Sequence, residues 1–272
     1  MHIAVLIAGV ADTKRPLECP KSGHWKDSIG EQATPFKLSP FDEAALEIAL
    51  KLRDRNGDAS ITVVVTDGAR DVALMRAIAS FRIAGVLGLP PPAQHRGDPA
   101  WLARHALQAM EQDGKTPDLI LIGREHGDLD DGMIPAYLAE SWRLPFVSLA
   151  LDVQVQEGEN GYLSFRRSGV GSDESVTLPK PAFASVSNDK SNRLRHPLMK
   201  NVMLAKQQSF PLIDPQAEQG TGKPPPLMVV DAQPPASSAR GTGQCRMLQG
   251  SLEAQARELA AYLQPDTNKA LS

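Results

Sequence analysis

Continuous apolar runs alternate with amphipathic segments along the first two thirds of the chain. The runs at residues 3–8, 61–65 and 118–123 show no alternation of apolar and polar positions, which is typical of strands buried on both faces. Segments with apolar residues at helical spacing predict helices over residues 41–55, 71–81, 100–112 and 133–143. Further strands are predicted over residues 85–88, 146–155 and 181–186.

Strand–helix–strand alternation predicts an α/β fold with a mostly parallel, doubly wound (Rossmann-like) sheet and helices on both faces. An Asn160-Gly161 turn predicts a β-hairpin insertion that joins residues 153–157 to residues 162–166. Ligands of such sheets bind beyond the carboxyl ends of the strands. A site is therefore expected in the segments just after Ile7, Val65 and Ile122.

The amino-acid composition of the sequence changes near Ser209. Prolines, glycines and polar residues dominate from there on, interrupted by one apolar island at residues 227–230. This composition predicts an α/β domain over residues 1–208 and an extended C-terminal arm over residues 209–272. Residues 251–264 predict one amphipathic helix at the end of the arm. A short isolated helix is marginal, so we expect it to dock on this chain or on a partner.

Composition excludes several classes of protein. The 272 residues carry 29 Lys and Arg against 32 Asp and Glu, a net charge of −3 that argues against nucleic-acid binding. A hydrophobic share of 42% excludes wholesale disorder. Cys19 and Cys245 form no CxxC pair, which favours a reducing compartment. The longest apolar stretch, residues 2–11, is too short to cross a membrane and lacks a basic start, so we expect a cytoplasmic protein without membrane insertion.

The loop at residues 123–132 is the first candidate site. Gly123 leaves a buried strand, and the glycine-containing turn that follows enters a helix, an arrangement that can bind phosphate through backbone N–H groups. An ordinary polar loop is the alternative. His126 and the aspartates of this loop could suggest a metal site, but no second His or Cys lies nearby, so we predict no metal. The sequence also contains no nucleophile elbow, Walker loop or dinucleotide fingerprint.

The segment at residues 187–209 mixes basic and apolar residues. It is open to two interpretations: a solvated loop that leads into a short helix, or a docking patch with an apolar anchor and a positive rim for an acidic partner. The basic residues are Lys190, Arg193, Arg195, Lys200 and Lys206. The apolar residues are Leu194, Leu198, Met199, Val202 and Met203.

Four short motifs together resemble the beta (small) subunit of electron transfer flavoproteins. Their order and intervals agree with that family over about residues 1–210. The motifs are Val-Ala-Asp-Thr at residues 10–13, Ser-Pro-Phe-Asp-Glu at 39–43, Pro-Asp-Leu-Ile-Leu-Ile-Gly at 117–123 and Asn-Val-Met-Leu-Ala-Lys at 201–206.

The resemblance implies an electron carrier rather than an enzyme. Such a subunit forms a heterodimer with an alpha subunit that carries the redox-active FAD, accepts electrons from flavin-containing dehydrogenases and passes them to the respiratory chain. The beta subunit holds AMP or, in bifurcating relatives, a second FAD. The C-terminal arm at residues 209–272 would lie against the alpha subunit.

The resemblance also implies roles for particular residues. The nucleotide site would comprise Leu6, Ser39, Pro40, Phe41, Asp42, Thr66, Gly123, Arg124, Asp130, Asp131, Gly132, Met133 and Ile134. Asp12 and Thr13 would lie near the flavin. The partner recognition loop would comprise Arg195, Leu198, Met199, Lys200, Val202 and Met203, with Met199 as the anchor that inserts into a dehydrogenase.

The loop before the fourth helix departs from the family pattern. The family has Asn, Gln and Thr where this chain has Gly132, Met133 and Ile134, and Pro135 removes one backbone donor. These departures predict weakened AMP binding, and a protein that has lost its nucleotide altogether is one possibility. The alternative from another class is a stand-alone adenine-nucleotide-binding enzyme of the nucleotide alpha hydrolase type. It is disfavoured because no Ser-Gly-Gly-x-Asp-Ser loop follows the first strand.

Overall fold

The computed structural model describes residues 1–12, 14, 35–92, 95–111, 114, 116–156, 161–213 and 247–263. The chain divides into two compact units. One comprises Met1–Glu18 with Glu31–Val230, and the other comprises Cys19–Gly30 with Asp231–Ser272. The first unit contains the sheet and the candidate sites.

An eight-stranded sheet forms the centre of the first unit. Its strands are β1 (His2–Ile7), β4 (Ser60–Val65), β5 (Gly85–Gly88), β6 (Leu119–Gly123), β7 (Phe146–Val155), β8 (Tyr162–Ser168), β9 (Asp173–Pro179) and β10 (Ala182–Val186). Their order across the sheet is β5-β4-β1-β6-β10-β7-β8-β9. A separate antiparallel pair consists of β2 (Val10–Ala11) and β3 (Phe36–Lys37). The helices of this unit are α1 (Pro40–Arg55), α2 (Val72–Ala79), α3 (Pro99–Met110), α4 (Ile134–Trp142) and α5 (Met199–Ala205).

The first six strands in the sheet order, β5-β4-β1-β6-β10-β7, are parallel to one another, and this confirms the predicted fold class. The predicted hairpin is also present, because β8 pairs antiparallel with β7 in a register that sets Val153 opposite Phe165. β9 extends the antiparallel part and was not predicted. Its residues are mostly exposed and polar, so the strand lacks the apolar pattern by which the others are recognised.

The core lies in two layers, one on each face of the sheet. Alternate residues of β1 supply the two layers, because successive side chains of a strand point to opposite faces. Val5 belongs to the layer that includes residues of α1 and α2. Leu6 belongs to the layer that includes residues of α3 and α4. Both side chains are fully buried, as expected for a strand covered by helices on both faces.

The β5 edge of the sheet is paired at Gly88, its last residue, with a later segment of the same chain. The Gly88 N–H donates to the Pro211 carbonyl at 2.9 Å, and the Ile213 N–H donates to the Gly88 carbonyl at 2.7 Å. The segment around Leu212 therefore forms a parallel bridge to β5.

The second unit contains α6 (Leu252–Leu263), which confirms the terminal helix predicted over residues 251–264. The apolar island at residues 227–230 lies outside the described residues.

Candidate functional site

The strand order reverses at β1, which pairs with β4 on one side and with β6 on the other. In parallel sheets the crevice at such a switch point, beyond the carboxyl ends of the strands, is the usual place for a ligand. Ile7 ends β1 and Gly123 ends β6, so the loops that follow them border this crevice. The side chain of Leu6, predicted as part of the nucleotide site, is fully buried in the core below.

Ser39 and Asp42 form a reciprocal cap at the start of α1. The Ser39 hydroxyl accepts a bond from the Asp42 N–H at 3.0 Å, and the Asp42 Oδ2 accepts one from the Ser39 N–H at 3.1 Å. The same oxygen accepts a bond from the Gly9 N–H at 3.2 Å. These bonds join the helix start to the loop after β1, where Gly9 has a φ of +75°.

The Asp42 carboxyl group is buried and only partly satisfied. Its side chain is completely shielded from solvent, and Oδ1 has no hydrogen-bond partner among the residues that the structure describes. Burial raises the pKa of Asp42 to about 6, although the bonds to backbone N–H groups act in the opposite direction. Two residues predicted to bind nucleotide, Ser39 and Asp42, are thus bonded to each other.

Gly123 permits close packing of α1 on β6. A Cβ at this position would lie 2.7 Å from the Cβ of Phe41 and 3.0 Å from its carbonyl carbon. Pro40, in the first turn of the helix, is exposed. Gly123, which the sequence assigned to a phosphate loop, therefore has a packing role, because Phe41 occupies the space that a side chain at position 123 would need.

The loop after β6 is held by its own backbone and by Asp130. The Arg124 N–H donates to the Val186 carbonyl at 3.0 Å, and its exposed guanidinium lies 3.5 Å from a Glu125 carboxylate oxygen. The His126 N–H donates to the Asp130 Oδ2 at 2.9 Å. Asp130 thus closes the turn that leads into α4.

The second oxygen of Asp130 satisfies the start of α4. Its Oδ1 accepts bonds of 3.0, 2.9 and 3.1 Å from the backbone nitrogens of Gly132, Met133 and Ile134. The N–H groups at the start of a helix have no partner within the helix and are the groups that bind anions. Here a side chain of the protein already accepts all three bonds. Asp131, the neighbouring carboxylate, is exposed.

His126 is the residue of this site that sequence reasoning did not assign to a nucleotide. Its ring is buried, and Nε2 lies 3.1 Å from the Thr66 hydroxyl at the end of β4. Nδ1 has no hydrogen-bond partner within the described part of the chain. Burial lowers the pKa of His126 to about 4, although Asp130 acts in the opposite direction. The imidazole is therefore neutral at pH 7.

A side-chain hydrogen bond and close packing hold the loop over the crevice. The Asp128 Oδ2 accepts a bond from the Ala11 N–H at 3.2 Å, and so ties the loop after β6 to the segment after β1. Gly127 has a φ of +82°, and a Cβ there would lie 3.0 Å from an Asp67 carboxylate oxygen and 3.3 Å from the Cβ of Ala8. The loop packs directly against the end of β1.

A small cavity lies beneath this loop. Its volume is about 20 Å³, and its lining includes Thr66, Asp67, His95, Asp98, Trp101 and His126. Such a space holds about one water molecule. Burial raises the pKa of Asp67, opposed by Arg96. Pockets for ligands of drug size are about 300–1,000 Å³, so this cavity is too small for AMP.

Asp12, predicted to lie near a flavin, is engaged within the chain. Its N–H donates to the Pro35 carbonyl at 2.9 Å, and its carboxylate accepts a bond from the Lys14 N–H at 3.2 Å. Lys37 Nζ lies 3.3 Å from the same carboxylate. The Lys14 bond and, to a smaller extent, Lys37 hold the pKa of Asp12 below its usual range. Thr13 lies outside the described residues.

The base of the predicted recognition loop is anchored to the domain. Asn192 is buried, donates to the Leu151 carbonyl at 2.8 Å and accepts a bond from Lys51 at 3.0 Å. The Arg195 guanidinium lies 2.8 Å from the buried carboxylate of Glu47. Arg195 is therefore committed to an ion pair within the chain, and only part of its side chain reaches solvent.

The rest of the recognition loop presents apolar side chains to solvent. Met199 is 74% exposed and Leu198 is 71% exposed, and Met203 on the next turn of α5 is also exposed. Lys200 is exposed beside them, whereas Val202 is half-buried. Of the two interpretations, a short helix is present, and it carries an apolar surface with a cation at its rim. We call Leu198, Met199 and Met203 the apolar crown.

Two kinds of feature are absent from the described residues. No group of three or more His, Cys, Asp or Glu residues is arranged to hold a metal ion there. No helix in that part of the chain is long and apolar enough to cross a membrane.

The fold and this arrangement define a doubly wound α/β protein with a closed switch-point crevice and an exposed apolar crown. Comparison with protein families gives the more specific result. The model of the electron transfer flavoprotein domain matches residues 28–217, and the chain belongs to this family. It is an electron transfer flavoprotein subunit, and so an electron-transfer protein rather than an enzyme.

Individual relatives agree with the family assignment at modest identity. An electron transfer flavoprotein subunit beta of Syntrophomonas wolfei is 29% identical over 208 residues, covering 76% of this chain and 77% of that protein. The same subunit of Mycobacterium leprae is 27% identical over 219 residues, covering 78% of each. The caffeyl-CoA reductase-Etf complex subunit CarD of Acetobacterium woodii is 27% identical over 157 residues, covering 58% of each.

Proposed function

We propose that this chain is the beta subunit of a heterodimeric, FAD-containing electron transfer flavoprotein. Its partner is an alpha subunit that carries the FAD. The heterodimer accepts electrons from flavin-containing dehydrogenases and passes them to the respiratory chain, and it acts in the cytoplasm. The names of the relatives support this proposal, because most are beta subunits and one is a subunit of a reductase complex.

The apolar crown is the observation that carries the docking role. Leu198 and Met199 project from a segment whose base is fixed by Arg195 and Asn192. A fixed base lowers the conformational entropy lost on association, and exposed apolar side chains supply the buried contact of an interface. Methionine is flexible, so it can pack against more than one partner surface.

The division of labour in the heterodimer follows from the chemistry of the groups. FAD supplies the redox chemistry, and the protein supplies binding, orientation and docking. In this proposal the crown binds the dehydrogenase, and Asp12 with Thr13 lies near the flavin of the partner subunit. The arm at residues 209–272 begins with the stretch that bonds to β5 of this chain, and its remainder, with α6 at the end, lies along the alpha subunit.

Co-expression tests the proposal. Expressed with its alpha subunit, the chain should purify as a yellow 1:1 complex with one FAD per heterodimer. A matched preparation of this chain alone should be colourless, because the FAD belongs to the partner. A chain that purifies alone as a stable monomer and hydrolyses an adenine nucleotide would contradict the proposal and favour the hydrolase-type alternative.

A further inference from the structure

We infer that the switch-point crevice of this subunit is closed by its own His126 and Asp130, and that it binds no adenine nucleotide. The inference concerns a different property from electron transfer and does not rest on the proposed function. Three independent features of the loop after β6 lead to it: the groups that accept bonds from the start of α4, the position of the His126 ring, and the bonds that hold the loop down.

The first feature is that the anion-binding groups are already satisfied. A phosphate at the start of α4 would need the N–H groups of Gly132 and its two neighbours, and all three donate to Asp130. A phosphate would have to displace that carboxylate and then lie close to it. The carboxylates of Asp128 and Asp131 in the same loop add further repulsion.

The second feature is that the His126 ring occupies the crevice. The imidazole lies over the end of β4, bonded to Thr66, and the space left beside it is about 20 Å³. A nucleotide needs a pocket larger by about an order of magnitude. Because the ring is buried and Nδ1 finds no partner among the described residues, a polar group has been desolvated to close this space.

The third feature is that the loop is tied to the strand on the other side of the crevice. Asp128 accepts a bond from the Ala11 N–H, and Gly127 packs against Ala8. Opening the crevice would break this bond and the His126–Thr66 bond together. At the start of α4 the side chains of Met133 and Ile134 are apolar and Pro135 has no N–H, so these three residues offer no polar side chain in exchange.

Analysis of the bound nucleotides tests the inference directly. The purified heterodimer is denatured in acid, and the released small molecules are identified and counted by mass spectrometry. We expect FAD, but less than roughly a tenth of an equivalent of AMP, ADP or ATP per heterodimer. AMP close to one equivalent overturns the inference. Missing FAD in the same sample contradicts the proposed function instead, so the two failures are distinguishable.

Removal of the ring tests the role of His126. AMP is titrated by calorimetry into the heterodimer with wild-type chain, with H126A and with H196A, which removes an exposed imidazole elsewhere. We expect wild type and H196A to bind no AMP at millimolar concentration and H126A to bind at least about tenfold more tightly, because the crevice is enlarged. Micromolar binding by wild type overturns the inference. So does a folded H126A, or H126S if H126A does not fold, that binds no better than wild type.

Discussion

The guanidinium of Arg195 pairs with the carboxylate of Glu47, which lies 148 residues earlier in the sequence, on α1. Glu47 is only 4% exposed, and Arg195 contacts both of its carboxylate oxygens, at distances of 2.8 to 3.1 Å. The same guanidinium also contacts Asp54, about two turns further along the helix. This network fixes the segment that leads to the apolar crown and raises the pKa of Arg195 above its usual value.

Replacing Arg195 by methionine should destabilise the domain by about 1–3 kcal/mol, because the buried carboxylate of Glu47 is left unpaired. The free energy of unfolding, from urea denaturation, measures the loss. R193M is the matched control, since Arg193 is exposed and its substitution should change stability by less than about 0.5 kcal/mol. Equal losses in both variants would show that the ion pair does not stabilise the fold.

Replacing Met199 by alanine should slow electron transfer from the cognate dehydrogenase about tenfold, because truncation of a central apolar contact typically costs more than 1 kcal/mol of binding. Stopped-flow reduction of the bound flavin gives the rate, and the flavin absorption spectrum should not change. V170A provides the control, because Val170 is an exposed apolar residue in the turn between β8 and β9. An unchanged rate in M199A would show that the apolar crown is not part of the surface that docks the dehydrogenase.

Replacing Gly123 by alanine should cost about 1–3 kcal/mol, because the new Cβ would clash with the backbone and Cβ of Phe41 and push α1 away from β6. Gly57 is a suitable comparison, since no atom lies within 4 Å of a Cβ built there. G57A should therefore be close to neutral. Urea denaturation of the two variants side by side measures the difference, and a neutral G123A would mean that the contact is loose.

Replacing Asp42 by asparagine should remove one component of the pH dependence of stability. The folded-state pKa of Asp42 is about 6, above its ordinary value of 3.8, so the folded state retains a proton that the unfolded state releases. The contribution of Asp42 to stability is present below pH 4 and falls by about 3 kcal/mol as pH rises to about 6. The difference between wild type and D42N, measured by denaturation at several pH values, should follow this fall. A constant difference would rule it out.

Replacing His126 by glutamine should remove a component of opposite sign. The folded-state pKa of His126 is about 4, below its ordinary value of 6.5, so the unfolded state takes up a proton first as pH falls. The contribution of His126 to stability is therefore present at pH 7 and decreases by about 3 kcal/mol between pH 6.5 and pH 4. Because Asp42 and His126 act in opposite directions in this range, wild-type stability should vary less with pH than either single variant. A flat difference between wild type and H126Q would contradict the assignment.

The parallel part of the sheet was predictable because its strands are buried on both faces. The runs at β1, β4 and β6 are mostly apolar and show no alternation with polar positions, and observed and predicted bounds agree within one residue at each end. β9 was missed for the opposite reason, since an exposed edge strand such as Asp173–Pro179 has no apolar pattern. β2 and β3, two residues each, are too short to give any pattern.

The candidate site was less predictable because its decisive contacts join distant positions. Ser39 and Asp42 were expected to face a nucleotide, yet Asp42 bonds to Gly9, 33 residues away. A histidine in a polar loop gives no sign of whether it points inward, so the sequence could not reveal the contact between His126 and Thr66. The nucleotide assignments to these residues stay predictions, as do the flavin and recognition-loop assignments.

The bridge between Gly88 and Leu212 has a consequence for how the sheet meets its surroundings. The Pro211 carbonyl and the Ile213 N–H complete the hydrogen bonding of Gly88. A strand of another molecule therefore finds no free N–H or carbonyl group at that point of the β5 edge. These two hydrogen bonds are made by main-chain atoms, whereas the side chain of Ile213 packs against the core. Residues 211–213 thus prevent another molecule from adding a strand to the sheet at Gly88.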